Sequence, residues 1–243
     1  MISLPWKKLE TDDKEKILKI INCQKRKLCR LKRELEKPDY LLSRNEIIQR
    51  YCVCPDTMTF YSCERDFLNR AIERYKELGG EYKRGLAEKR NEKFNARLND
   101  IVKITLTEYV YPRFPKKTSV RFIGTEVICK TDDSGEPNTE LKSDENDFSD
   151  YLPSLSKDKT EFLERLKSLG IGEWRRFYSE RRFGTEVLDG EQWKLEFEYG
   201  NGDRQTYGGS NAYPYNYRDF LKLLNLKKDF DFDEELSDLP PFC

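Results

Sequence analysis

The sequence predicts an α+β protein: an N-terminal all-helical region with long, coiled-coil-like helices, followed by a C-terminal antiparallel sheet of two ββα units. Three observations predict it. Apolar side chains recur at helical spacing through the first hundred residues, the period changes to two at Ile101, and strand-strand-helix patterns then follow each other. The expected divisions are a helical region with a basic face over residues 1–100, an α+β domain over 101–227 with an acidic loop at 131–155, and an acidic tail over 228–243.

From Thr11 to Glu36 the positions Ile17, Ile21, Gln24, Leu28, Leu31 and Leu35 follow the alternating four-three spacing of a coiled-coil seam, and Pro38 ends the run. Such a stripe packs internally, against another chain, or against a second copy, so a homo-oligomer through residues 17–35 is one expectation. The other face carries KRKLCRLKR, residues 25–33, with six cations in nine positions: Lys25, Arg26, Lys27, Arg30, Lys32 and Arg33. It is either a solvated helix face or a contact for phosphate or an acidic protein.

In LLSRNEIIQRYCVCPDTMTFYSCERDF, residues 41–67, Ser43 is placed to N-cap a helix and Glu46 completes a capping box. Residues 43–59, SRNEIIQRYCVCPDTMT, resemble the helix-turn-helix pattern of bacterial DNA-binding proteins. Ile47 and Ile48 correspond to the first-helix core, Val53 follows the turn, and Thr57-Met58 begin the recognition helix. The chain departs from that pattern at Ile48, where a small residue is usual, and at Cys52, where glycine makes the turn. The resemblance implies contact between the second helix, with Thr57 and Thr59, and the DNA major groove. Without it, the stretch is two ordinary helices joined at Pro55. A longer helix then runs from Asp56 to about Leu78 and stops at Gly79-Gly80. Residues 80–101 are polar, with Leu86, Phe94 and Leu98 as apolar anchors.

IVKITLTEYVYP begins the sheet, with Val102, Ile104, Leu106 and Val110 expected on one side. VRFIGTEVICK, residues 120–130, reads as a second strand with a bulge at Gly124. The stretch at 131–155 holds eight acidic residues and one lysine. DKTEFLERLKSLG follows as a helix with a capping box at Asp158 and Glu161, apolar Phe162, Leu163, Leu166 and Leu169, and Gly170 as its stop. Trp193, Leu195, Phe197 and Tyr199 then alternate with Lys194, Glu196 and Glu198, and Gly200-Asn201-Gly202-Asp203 turns the chain into a hairpin. Gly208 to Pro214 reads as a strand-to-helix loop, and Asn216 as the cap of a last helix bearing Tyr217, Phe220, Leu221 and Leu224.

Composition excludes more chemistry than it suggests. There is no histidine, which removes the commonest general base and metal ligand. The seven cysteines are an odd number without framework spacing, the pattern of free thiols in a reducing cytoplasm. Cys52, Cys54 and Cys63, with Cys23 or Cys29, fit zinc spacing poorly. No apolar run reaches membrane-spanning length, and the start lacks a signal-peptide core, so a cytoplasmic protein without membrane contact is expected. Net charge is zero, yet residues 1–100 hold 24 Lys/Arg against 17 Asp/Glu, a net +7 that leaves −7 for the rest.

These readings point to a non-enzymatic adaptor without cofactor or metal, docking on a partner protein through Tyr199, Tyr207, Ser210, Asn211, Tyr213 and Tyr215. Surplus aromatics around that loop are expected at the surface. The alternative is a nucleic-acid-binding protein using the basic run with Thr57 and Thr59. A third reading, a metal-dependent nuclease, needs Asp56, Glu81 and Lys83 to converge.

Overall fold

The computed structural model describes residues 6–110, 112, 114–132, 158–187 and 190–226. Most of the acidic loop and the acidic tail lie outside the described residues. Six α-helices and six strands are found among those described, which makes the protein α+β. They divide into two compact units. One comprises Met1–Arg90, Phe177–Gly190 and Gly209–Tyr215; the other comprises Asn91–Arg176, Glu191–Gly208 and Asn216–Cys243. The first unit thus takes in two segments from the region expected to form a separate domain.

In the first unit, α1 spans Lys14–Leu35, α2 Arg44–Tyr51 and α3 Thr57–Glu77. Local chemistry sets their ends. Asp13 accepts the amides of Glu15 and Lys16 at 3.0 and 3.1 Å, which starts α1. Ser43 and Glu46 form the expected capping box at α2, and Asp56 accepts the Thr59 amide at 2.6 Å at α3. Gly79, at φ +72, turns the chain so that Gly80 donates to Tyr75 O and Gly79 to Lys76 O, a Schellman ending.

The stripe of α1 is covered by α3. Ile17, Ile21 and Leu28 share a core with Tyr61, Leu68, Ala71, Ile72, Tyr75 and Tyr215. Gln24 lies in the same seam because its side chain donates to the Glu64 carbonyl at 3.0 Å and to the Glu64 carboxylate. Lys27 pairs with the other Glu64 oxygen at 2.8 Å, so this buried carboxylate is compensated on both sides.

The next helix, α4, is Leu86–Asn95. Its Phe94 is buried, but Leu86 is 81% exposed and anchors nothing. Six strands follow: β1 Ile101–Val110, β2 Lys116–Ile123, β3 Glu126–Asp132, β4 Phe177–Ser179, β5 Glu191–Tyr199 and β6 Arg204–Ser210. Their order is β3-β2-β1-β5-β6-β4. The β1–β2, β2–β3 and β1–β5 pairs are antiparallel. The two remaining helices are α5, Lys159–Ser168, and α6, Tyr217–Leu223.

Several local expectations are corrected. VRFIGTEVICK is two strands: Gly124 at φ +58 makes a tight turn with Thr125, so β2 and β3 pair as a hairpin where one bulged strand was expected. Three strands therefore precede α5, where a ββα unit was expected. Ile104 and Leu106 face inward as expected, but a register shift between Ile101 and Lys103 turns Ile101 inward in place of Val102, and Val110, the last residue of β1, is exposed. Gly208-Gly209-Ser210 belongs to β6, not to a loop. Asp158 precedes α5 without a side-chain cap. Asn216 likewise does not cap α6; it accepts from Trp174 Nε1 at 2.9 Å and donates to Leu169 O at 2.6 Å.

In the second unit the inward face of the sheet closes on aromatic rings. Trp174 sits 5.7–6.3 Å from the rings of Trp193, Tyr207, Tyr217 and Phe220. Phe94 meets Phe197 at 5.1 Å, and Phe122 meets Phe162 at 5.7 Å. These tilted and edge-on pairs add to the area they bury. On β3, burial pushes the Cys129 thiol up to about 11, so it is an inert, protonated thiol near neutral pH.

Candidate functional site

The tyrosines expected to form a docking edge go mostly to the cores. Tyr199 is 1% exposed, Tyr207 2% and Tyr215 8%, which overturns the expectation of surplus surface rings. Each has a local reason. Arg97 lies 3.8 Å over the Tyr199 ring; the Tyr199 hydroxyl donates to Gln205 Oε1 at 3.1 Å, and Gln205 Nε2 donates to the Tyr207 hydroxyl at 2.5 Å. Tyr215 packs 4.9 Å from Tyr61 and receives a hydrogen bond from Arg65 at 3.1 Å. Ser210, Asn211 and Tyr213 keep partial exposure. The Asn211 side chain lies so close to Gly190 that any Cβ there would overlap it. That segment is a packed connection with half-buried residues, not an open aromatic ledge.

The basic run on α1 divides into two sets. Lys25, Lys27 and Lys32 turn toward the flanks of the helix and are engaged. Lys25 lies 4.4 Å over Tyr82 and 3.6 Å from Glu88; Lys27 holds Glu64 and lies 4.7 Å over Phe60; Lys32 lies 4.6 Å over Tyr215. Arg26, Arg30 and Arg33 stand at i, i+4 and i+7, diametrically opposite the buried stripe, and all three are exposed. Lys19 continues the row two turns closer to the N-terminus. Among the described residues, none of these four makes a hydrogen bond, ion pair or ring contact. The helix offers a straight line of guanidinium groups about 10 Å long with no carboxylate between Lys19 and Arg33 on that face.

Guanidinium groups suit phosphate: five donors in a planar fork and a charge that persists across all working pH. Buried Arg50 shows the alternative use of the same group. It donates to Lys37 O and Asp39 Oδ1 at 2.8 Å each and to Glu34 O, closing the C-terminal end of α1. The contrast identifies the three row arginines as the uncommitted ones. The Arg50 role had no sequence signal. Gln24 and Glu64 did have one, since each is a polar residue at a core position of its own helix.

At the α2–α3 junction, Thr57 Oγ1 donates to Gln49 O at 3.2 Å and Thr59 is exposed in the first turn of α3. Ile47 and Ile48 are half-buried. The cysteines described are free, with Cys23, Cys29, Cys52 and Cys54 exposed, and no group of three or more metal-ligating side chains forms among the described residues. Asp56 and Glu81 flank opposite ends of the 21-residue α3, about 30 Å apart along its axis. They do not converge, which removes the nuclease constellation. Glu196 and Glu198 share an outer strand face, where Lys194 and Arg204 neutralise them at 3.2–3.8 Å. No helix among the described residues is long and apolar enough to cross a membrane.

No protein-family model, curated protein or solved structure matches this chain.

Proposed function

We propose that this protein binds nucleic acid through the phosphate backbone, without catalysing a reaction, using the outer face of α1. The observation that carries the reading is the uncommitted arginine row Arg26, Arg30 and Arg33 opposite the helix core. Phosphate contacts of this kind fix position without reading bases, so binding is expected to be largely independent of sequence. The resemblance of residues 43–59 to helix-turn-helix proteins supports the same class and adds Thr57 and Thr59 as groups near bases. The exposed free thiols of Cys23, Cys29, Cys52 and Cys54 favour a reducing, cytoplasmic setting. Partner-protein docking through Tyr199, Tyr207, Tyr213 and Tyr215 is the weaker reading, because three of these four rings are buried.

The test is fluorescence anisotropy with a labelled random-sequence duplex across a salt series. Log affinity is expected to fall linearly with log salt. Each phosphate that a cation neutralises adds roughly 0.9 to the slope, so replacing Arg26, Arg30 and Arg33 together by Ser should flatten it by about 2 to 3. An unchanged slope in the folded triple variant, or no binding by the natural chain at low salt, overturns the reading.

A further inference from the structure

The second unit carries its own uncommitted cations, on the side of the sheet away from its core. Ile104 and Leu106 on β1, and Thr118 and Val120 on β2, face the core. Alternation therefore turns Lys103, Thr105, Thr107 and Tyr109 outward on β1, and Lys117, Ser119 and Arg121 outward on β2. The register pairs these across the strands as Lys103 with Arg121, Thr105 with Ser119, and Thr107 with Lys117. Six adjoining outward positions are thus all hydrogen-bond donors. Acidic residues are as numerous as basic ones in this chain, 45 each, yet none enters this block.

Two cations directly opposite each other on an antiparallel pair are destabilising. Here neither cation of the pair is held in an ion pair among the described residues. Glu198 is the β5 neighbour of Lys103, but it lies 3.8 Å from Arg204, and Glu196 is held by Lys194 and Arg204. Asp132 stands opposite Lys117 in the β2–β3 register. Even so, Lys103, Lys117 and Arg121 form no hydrogen bond or ion pair among the described residues. Partial burial, then the charges of Arg121 and Lys117, push the Lys103 amine below its usual range against the pull of Glu198 and Glu196. An anion seated over this block would relieve that repulsion. At the far end of the same face, Tyr109 presents a ring that is 45% exposed.

We propose that the outward face of β1 and β2 is a second polyanion site that takes a single nucleic-acid strand. Lys103, Arg121 and Lys117 contact phosphates, Thr105 and Ser119 donate hydroxyls between them, and Tyr109 stacks on a base. Charge complementarity selects the backbone. The aromatic ring selects the single strand, because an unstacked base must be available to lie on it. The site shares no residue with the arginine row of α1 and does not rest on it.

The experiment measures binding of a labelled 20-residue oligothymidylate and of a duplex of equal length at low salt. The natural chain, a Lys103→Thr/Arg121→Thr variant, a Tyr109→Ser variant and the α1 triple variant are compared, each with its Tm. The expected result is at least a tenfold loss of single-strand affinity in Lys103→Thr/Arg121→Thr, on the order expected when two phosphates are no longer neutralised. Its Tm should be unchanged or raised, since a like-charge pair is removed. Tyr109→Ser should weaken single-strand binding more than duplex binding. Single-strand affinity within twofold of the natural chain in a folded Lys103→Thr/Arg121→Thr variant overturns the proposal. If duplex binding and its reduction in the α1 variant persist in that case, the α1 reading stands alone; if the α1 variant is neutral while the sheet variant fails to bind, the sheet site stands alone.

Discussion

At the centre of the first unit a carboxylate, Glu64, is buried between Gln24 and Lys27; at the centre of the second an indole, Trp174, is surrounded by four rings. The helical seam is directional, since every polar group in it needs a partner at hydrogen-bond distance. The sheet core is largely non-directional, and its strength comes from area and shape. Each unit is accordingly vulnerable in its own way. A helix pair with a buried charge fails by losing a partner, whereas an aromatic core fails by losing volume.

The largest expected effect follows from that second weakness. Trp174→Ala should cost about 3–5 kcal/mol in urea unfolding, because it opens a cavity among rings that cannot all close in and leaves the Asn216 carbonyl without its donor. A loss under about 1 kcal/mol would break the contrast. The seam gives the next effect. If the first unit were held by apolar contact alone, Gln24→Leu would stabilise it. The geometry instead predicts a loss of about 2 kcal/mol, since the Glu64 carboxylate and carbonyl both lose a donor inside the seam. Stabilisation by this substitution would show that Lys27 suffices.

The smallest effect is a titration at the surface of the first unit. The Ser43 amide, then the Ser43 hydroxyl and Lys37, hold the Glu46 carboxyl down at about 2, from an ordinary 4.5. A depressed carboxylate stabilises the folded state above its unfolded value. The contribution of the α2 capping box is therefore complete above pH 4.5 and is lost as pH falls toward 2. Ser43→Ala should raise the midpoint seen by NMR only part of the way, because the backbone amide of residue 43 still donates. A midpoint already near 4.5 in the natural protein would dissolve the capping box.

Some helix ends were readable because they depend on a few neighbouring residues, although Asp158 and Asn216, expected as caps, cap nothing. The Ser43–Glu46 box and Gly79 each act within one turn of the helix they start or stop. The alternation of Trp193 to Tyr199 was readable for the same reason. Of the candidate sites, the cationic run on α1 was visible as a composition, but its division into engaged lysines and free arginines was not. Lys25, Lys27 and Lys32 find their partners at residues 88, 64 and 215, and no local pattern announces contacts at such separations.

The α+β class, the helices of the first hundred residues, the seam with Gln24 on it and the absence of imidazole chemistry all followed from the order of residues alone. These are properties of composition and of short-range periodicity, where backbone geometry is enough to place side chains. Tertiary contacts were needed to establish that Gly124 turns the chain, that a register shift exposes Val102, and that Tyr199, Tyr207 and Tyr215 are buried. They were needed, too, to set Lys103 and Arg121 side by side on the face of the sheet away from its core. Each of those outcomes depends on which distant segment pairs with which, and strand register and ring burial are settled by the partner as much as by the residue itself.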